Sequence, residues 1–147
     1  MKRKIGIAIV VLLIVIQFFH PKKNQSTELL ATDITKVTTV PSEVNKILEV
    51  ACYDCHSNNS RYPWYNNIQP VAWWLNKHIN NGKRHLNFSE FGTYDAKKAN
   101  HKLDEIVEVI EKDEMPLGSY TLIHKDAKLN ETQKKLLTDW AKSVQVQ

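Results

Sequence analysis

Cysteine is scarce in this 147-residue chain: there are two, Cys52 and Cys55. Two thiols cannot complete a structural zinc site, which would have to recruit two histidines as well. Methionine is scarcer away from the start, since Met115 is the only one besides the initiator. Charge of one sign is also lacking. The net charge is +4, but three of the 20 basic residues, Lys2, Arg3 and Lys4, precede the first apolar run, leaving 17 against 16 acidic residues. With only a loose basic group at Lys77, Lys83 and Arg84, that balance argues against a nucleic-acid binder, which concentrates its positive charge on one face. There is no internal repeat and no alternating apolar pattern long enough for a sheet. The nearest candidate is "DITKVTTV", residues 33–40, and it is too weak to count as a strand. The expected class is all-α, with room for one domain.

What is present begins with "MKRKIGIAIVVLLIVIQFFHPKK". A basic head precedes an apolar run from Ile5 to Phe19, interrupted only by Gln17, which reads as an export signal. The run is short of the roughly 20 residues of a comfortable membrane helix. Phe18, Phe19, His20 and Pro21 offer no small-residue cleavage site, so an uncleaved signal-anchor over 1–21 is favoured over a removed signal peptide. No cysteine follows closely enough for a lipoprotein anchor. The Lys2 to Lys4 cluster keeps the N-terminus cytoplasmic and sends the rest outside. Residues 22–40 are polar, with few large apolar groups, and read as a flexible tether.

From residue 41 four helices are expected. The first runs from Pro41 or Ser42 to about Cys52, with Val44, Ile47, Leu48 and Ala51 at helical spacing. The second starts near Pro70 and stops at Gly82, read as a C-terminal cap, with Trp74 and His78 one turn apart. The third covers about Asp95 to Glu111 with Ala99, Leu103, Ile106, Val107 and Ile110 as its stripe, and Pro116 and Gly118 prevent continuation. The fourth opens at "NETQ" with Asn130 as N-cap and Gln133 three residues on, and carries Leu136, Leu137, Trp140 and Val144.

The first helix delivers the chain into "ACYDCHS", where Cys52, Cys55 and His56 form C-x-x-C-H. That arrangement is the attachment pattern of c-type haem: two thiols reach the two vinyl groups of one porphyrin, and the adjacent imidazole turns to the iron. A thioredoxin-like redox pair would need a preceding strand, and a zinc site would need further ligands, so covalent haem is the preferred reading. Met115, in "DEMPLG", lies in a proline-stiffened loop after charged residues rather than on an apolar stripe, which favours it as sixth ligand over core filler. His78 is the rival for that position. His85, His101 and His124 are expected to face solvent or bond locally, and His20 belongs to the membrane flank. In "NNSRYPWYNNIQPVAWW", Arg61 and Trp64 are candidates for the haem propionates, the other aromatics for haem cover or small-core packing.

The ordered set "CYDCHSNNSRYPWY", "PVAWWLNKHINNGKRHLNFSEF", "EMPLGSYTLIHKDAKL" and "LLTDWA" closely resembles the bacterial haem-binding domain family of cytochrome c-like proteins. The resemblance runs from Pro41 to the end. It implies haem attachment at Cys52, Cys55 and His56, and its methionine-proline element falls on Met115 and Pro116. The stretch "LNFSEF" matches without an evident chemical role. The expectation is therefore a small cytochrome c-like helical domain over 41–147, built around one covalent haem c behind an N-terminal membrane helix. It would carry single electrons between redox partner proteins in the periplasm or membrane, more as carrier than catalyst. A haem sensor or small catalytic haem domain with an open or labile sixth position is the alternative function. A soluble periplasmic form after cleavage is the alternative location.

Overall fold

The computed structural model describes residues 1–26 and 28–145, and among these every regular element is helical. In chain order these are α1 (Lys2–Ile16), α2 (Ile34–Val37), α3 (Ser42–Ala51), α4 (Tyr53–His56), α5 (Val71–His85), α6 (Ala96–Glu111), α7 (Gly118–Thr121) and α8 (Glu131–Ser143). Short 3-10 turns at Trp64–Asn67, Phe88–Thr93 and Lys125–Ala127 link them. The all-α expectation holds.

The core forms where the sequence places its apolar stripes. α3 buries Val44, Ile47 and Leu48, and α6 buries Ala99, Leu103, Ile106, Val107 and Ile110. α8 closes over them with Leu137, Trp140 and Ala141. Val44, Leu48, Leu103 and Leu137 are completely buried, and burying such a side chain contributes about 1.5–3 kcal/mol. The start of α8 carries the expected capping box. Asn130 Oδ1 accepts from the Gln133 amide at 2.9 Å, and Gln133 Oε1 accepts from the Asn130 amide at 3.0 Å. α6 is capped by Asp95, which accepts from the Lys98 amide at 2.8 Å.

Three expectations change. First, α5 does not stop at Gly82 but runs on to His85. Second, the polar segment before residue 41 is packed against the domain, not a free tether. Ile34 is completely buried in the main core, Asp33 caps α2 by accepting from the Thr35 amide at 3.0 Å, and the Gly92 amide donates to the Thr32 carbonyl at 2.8 Å. Upstream, the Asn24 side chain donates to the Ser57 carbonyl at 2.8 Å and to Ser60 Oγ at 2.9 Å, and Gln25 bridges to Asn59. The segment holds by hydrogen bonds and one fully buried isoleucine rather than by apolar area. The weak strand candidate within it is a single capped turn followed by extended chain.

Third, no helix among the described residues is long and apolar enough to cross a membrane. α1 has 15 residues, about 22 Å of helix against a hydrocarbon core of about 30 Å, and none of its side chains is buried.

Candidate functional site

α3 ends because Cys52 leaves helical geometry, at φ −125° and ψ −44°. The chain restarts at once as the single turn α4, where the Cys52 carbonyl accepts from the amides of Cys55, at 3.1 Å, and His56, at 2.9 Å. Cys52 and Cys55 therefore sit three apart on one helical turn, and both thiols are free. Burial pushes the Cys52 thiol up to about 12, with the neighbouring Cys55 adding to it. Burial, then the Asp54 carboxylate, pushes Cys55 up to about 11. The pair is neutral at physiological pH, which is poor chemistry for a redox dithiol that works as a thiolate.

His56 is held by the "LNFSEF" stretch, whose role the sequence left blank. Its Nδ1 lies 3.0 Å from the Leu86 carbonyl oxygen, and its ring packs edge-on to the buried Phe88 with centroids 6.5 Å apart. A carbonyl can only accept, so Nδ1 carries the proton and Nε2 keeps its lone pair for a metal. Burial lowers the His56 pKa, partly opposed by the Leu86 and Gly82 carbonyls, and leaves the imidazole neutral at pH 7. Asn87 Nδ2 donates to Asn58 Oδ1 at 2.9 Å and the Asn58 amide donates to Ser89 Oγ at 3.1 Å, tying the same stretch to the chain just after the motif.

Gly82 explains why α5 lies so close to α4. A Cβ added there would meet the Cys55 carbonyl oxygen at 2.5 Å, so only glycine allows the approach. Trp74, His78 and Gly82 follow at four-residue spacing along that face of α5. Trp74 remains 47% exposed, packed edge-on to His78 with centroids 4.3 Å apart. A large aromatic left half-covered on the helix face that meets Cys55 fits an apolar macrocycle attached at that residue.

Asp54, between the two cysteines, is buried and heavily bonded. It accepts from the Arg61 amide at 2.9 Å, from Arg61 Nε at 3.2 Å and from the Tyr120 hydroxyl at 2.7 Å. The Arg61 guanidinium, expected to serve a propionate, is thus engaged with a protein carboxylate, and that bond is the main cause of its raised pKa. Burial and then Asp54 push the Tyr120 hydroxyl up as well. Trp64 is 75% exposed and touches Tyr65 edge-on with centroids 5.8 Å apart, while Tyr65 Oη lies 2.9 Å from His124 Nε2.

Met115 arrives by a tight turn after α6, in which Asp113 takes a left-handed φ of 57° and the Glu114 and Met115 amides both donate to the Val109 carbonyl, at 2.9 and 3.2 Å. The helix stops there, ahead of Pro116. The half-buried Met115 packs against the same apolar core that Cys52 and Tyr53 border. The structure thus brings Cys52, Cys55 and His56 onto one turn and sets Met115 on the shared core, while Arg61 is committed to Asp54 and Trp64 faces outward.

Among the described residues no group of three or more His, Cys, Asp and Glu side chains could hold a metal ion. The zinc alternative lacks its ligands there, whereas a haem asks only one or two axial side chains of the protein.

Fold and site together define a small all-helical domain organised around a free cysteine pair and an oriented histidine. The chain belongs to the haem-binding domain family, whose model matches residues 11–143, and it is a haem-binding protein. The match begins ahead of residue 41, in keeping with the packed segment that contains α2. No curated protein and no solved structure matches the chain.

Proposed function

We propose that this is an exported, membrane-attached c-type cytochrome that carries single electrons between partner proteins outside the cytoplasm. The observation that carries the reading is the α4 turn: two free thiols beside a neutral histidine whose Nδ1 is committed to the Leu86 carbonyl. Each thiol would add its S–H across one vinyl group, giving a thioether without consuming an oxidant. His56 Nε2 and the Met115 thioether would hold its iron. When bound, the haem supplies a one-electron couple, and histidine/methionine ligation sets its potential higher than two histidines would.

The chain's own residues orient His56 through Leu86 and Phe88, hold α5 against Cys55 through Gly82, and fix the motif turn through Asp54, Arg61 and Tyr120. α1, with Lys2, Arg3 and Lys4 at its head, supports export and attachment to the membrane.

The test is expression of the full chain in a host that performs haem c maturation, followed by haem staining on a denaturing gel and by oxidised and reduced spectra. The expected result is haem that survives denaturation, is lost completely in the Cys52→Ala/Cys55→Ala double variant, and gives a low-spin spectrum with a methionine-to-iron charge-transfer band. Replacing Met115 by alanine should abolish that band. A covalently attached but high-spin haem would favour a sensor or catalytic domain, and haem removed by denaturation would overturn the c-type assignment.

A further inference from the structure

We propose that the face of the domain carrying Ile68 and Trp73, together with Phe18 and Phe19, sits in the headgroup region of a lipid bilayer containing anionic phospholipid. This rests on the reading of α1 as the membrane attachment. It adds that the folded domain, and not α1 alone, contacts lipid, and does so in one orientation.

The junction between α1 and the domain is built rigidly. Gln17 Oε1 accepts from the Gln69 amide at 2.9 Å and Gln17 Nε2 donates to the Gln69 carbonyl at 3.2 Å. The Phe19 carbonyl accepts twice, from Gln69 Nε2 at 2.7 Å and from the Trp73 indole N–H at 2.9 Å. Gln69 is itself buried. The end of the apolar helix is therefore fastened to the turn before α5 and to the first turn of α5 itself.

Around this junction four large apolar side chains stay in the open: Phe18 at 81%, Phe19 at 62%, Ile68 at 44% and Trp73 at 41% exposure. They continue the exposed apolar surface of α1, on which no side chain is buried. The polar groups beside them are already satisfied within the protein. The indole N–H of Trp73, both ends of the Gln17 amide and the Phe19 carbonyl all have partners, so the patch can leave water without stranding a donor or acceptor. An aromatic group with a satisfied polar edge and an apolar body suits the membrane–water boundary.

Charge points the same way. Just beyond the patch an open polar cleft of about 580 Å³ has Lys22, Lys23 and Lys83 on its walls against the single carboxylate of Glu90. Lys83 Nζ is anchored to Asn24 Oδ1 at 2.7 Å. Lys77 lies one turn beyond Trp73 on α5 and is exposed. A row of ammonium groups bordering an aromatic collar matches an anionic headgroup layer.

The experiment uses the full haem-loaded chain with Ile68 replaced by the photocrosslinking residue p-benzoylphenylalanine, and with the same replacement at exposed Asp139 on α8 as the comparison. Each protein is mixed with vesicles of phosphatidylcholine and phosphatidylglycerol, floated on a density gradient, irradiated and examined by mass spectrometry. Unchanged haem spectra verify that both variants are folded. The expected result is at least ten-fold more lipid adduct at position 68 than at 139, and several-fold less at 68 when the vesicles are phosphatidylcholine alone. Flotation with equal adduct at the two positions overturns the oriented face while leaving the attachment by α1 standing. Failure to float overturns the attachment and the face together. Equal adduct yields in the two lipids overturn the anionic preference. Crosslinks to a protein instead of lipid in native membranes reassign the face to a protein partner.

Discussion

α3, α6 and α8 share one core, in which Val44, Leu48, Leu103, Ile106, Leu137 and Trp140 are all buried, apolar groups gathered out of water. Between α4 and α5 it is Gly82 against the Cys55 backbone, and α5 buries only Ala72 and Ile79 within its length. There the chain is held by polar links: Asp54 to Arg61 and Tyr120, Asn24 to Ser57 and Ser60, His56 to Leu86. The first side stands on its own hydrophobic burial. The second keeps Trp74 half exposed, an apolar surface that a bound haem would cover.

The strongest way to probe this contrast is Leu103→Ala, which empties a fully buried site on the self-sufficient side. It should cost about 2–5 kcal/mol in chemical denaturation, by a similar amount with and without haem. Trp74→Ala, by comparison, should lower stability only in the haem-loaded protein.

Gly82→Ala comes next. Alanine usually improves a helix interior by about 1 kcal/mol over glycine, but here its methyl would press on the backbone of Cys55. A net loss of about 1–3 kcal/mol, with a shifted haem spectrum in the loaded form, is expected, and a gain would show that α5 can move off the motif.

Acid should then discriminate between the two sides. The folded-state pKa of His56 is lowered by burial, so the unfolded chain takes up this proton first. In the haem-free chain that part of the stability is present above about pH 6.5 and is lost as pH falls below it, by at most about 1.4 kcal/mol per pH unit. Urea midpoints between pH 8 and 5 should fall less steeply for His56→Gln than for the unaltered chain.

The smallest effect belongs to Asn130→Ala, which removes half of a capping box on the self-sufficient side. It should cost about 1 kcal/mol and leave any haem spectrum unchanged.

The same contrast governs what could be read in advance. α3, α6 and α8 declare themselves through apolar stripes and caps because their stability lies in those side chains, and the structure places Asn130, Asp95 and Leu103 accordingly. The C-x-x-C-H triplet is legible because its chemistry requires fixed spacing. Gly82 reads as a helix end because a glycine admitting a neighbouring backbone looks the same in sequence as a glycine ending a helix. The partner of His56 is a main-chain carbonyl, which carries no residue signature, so "LNFSEF" showed no role. Residues 22–40 looked free because hydrogen bonds to Ser57, Ser60 and Ser89 leave no trace in hydropathy, and the one informative residue, Ile34, stands alone.

The indole N–H of Trp140 donates to the Thr39 carbonyl at 3.0 Å, joining positions 101 residues apart. Trp140 belongs to the core against which Cys52 packs, and α8, lying downstream of the motif, leaves the ribosome after it. Until it emerges, the wall that completes the burial of α3 is missing, and the motif that follows α3 lies open. Synthesis in chain order thereby creates an interval in which the thiols remain accessible, and the arrival of α8 ends it. A chain truncated before Trp140 would extend that interval indefinitely, leaving the cysteines exposed to oxidants for as long as the molecule persists.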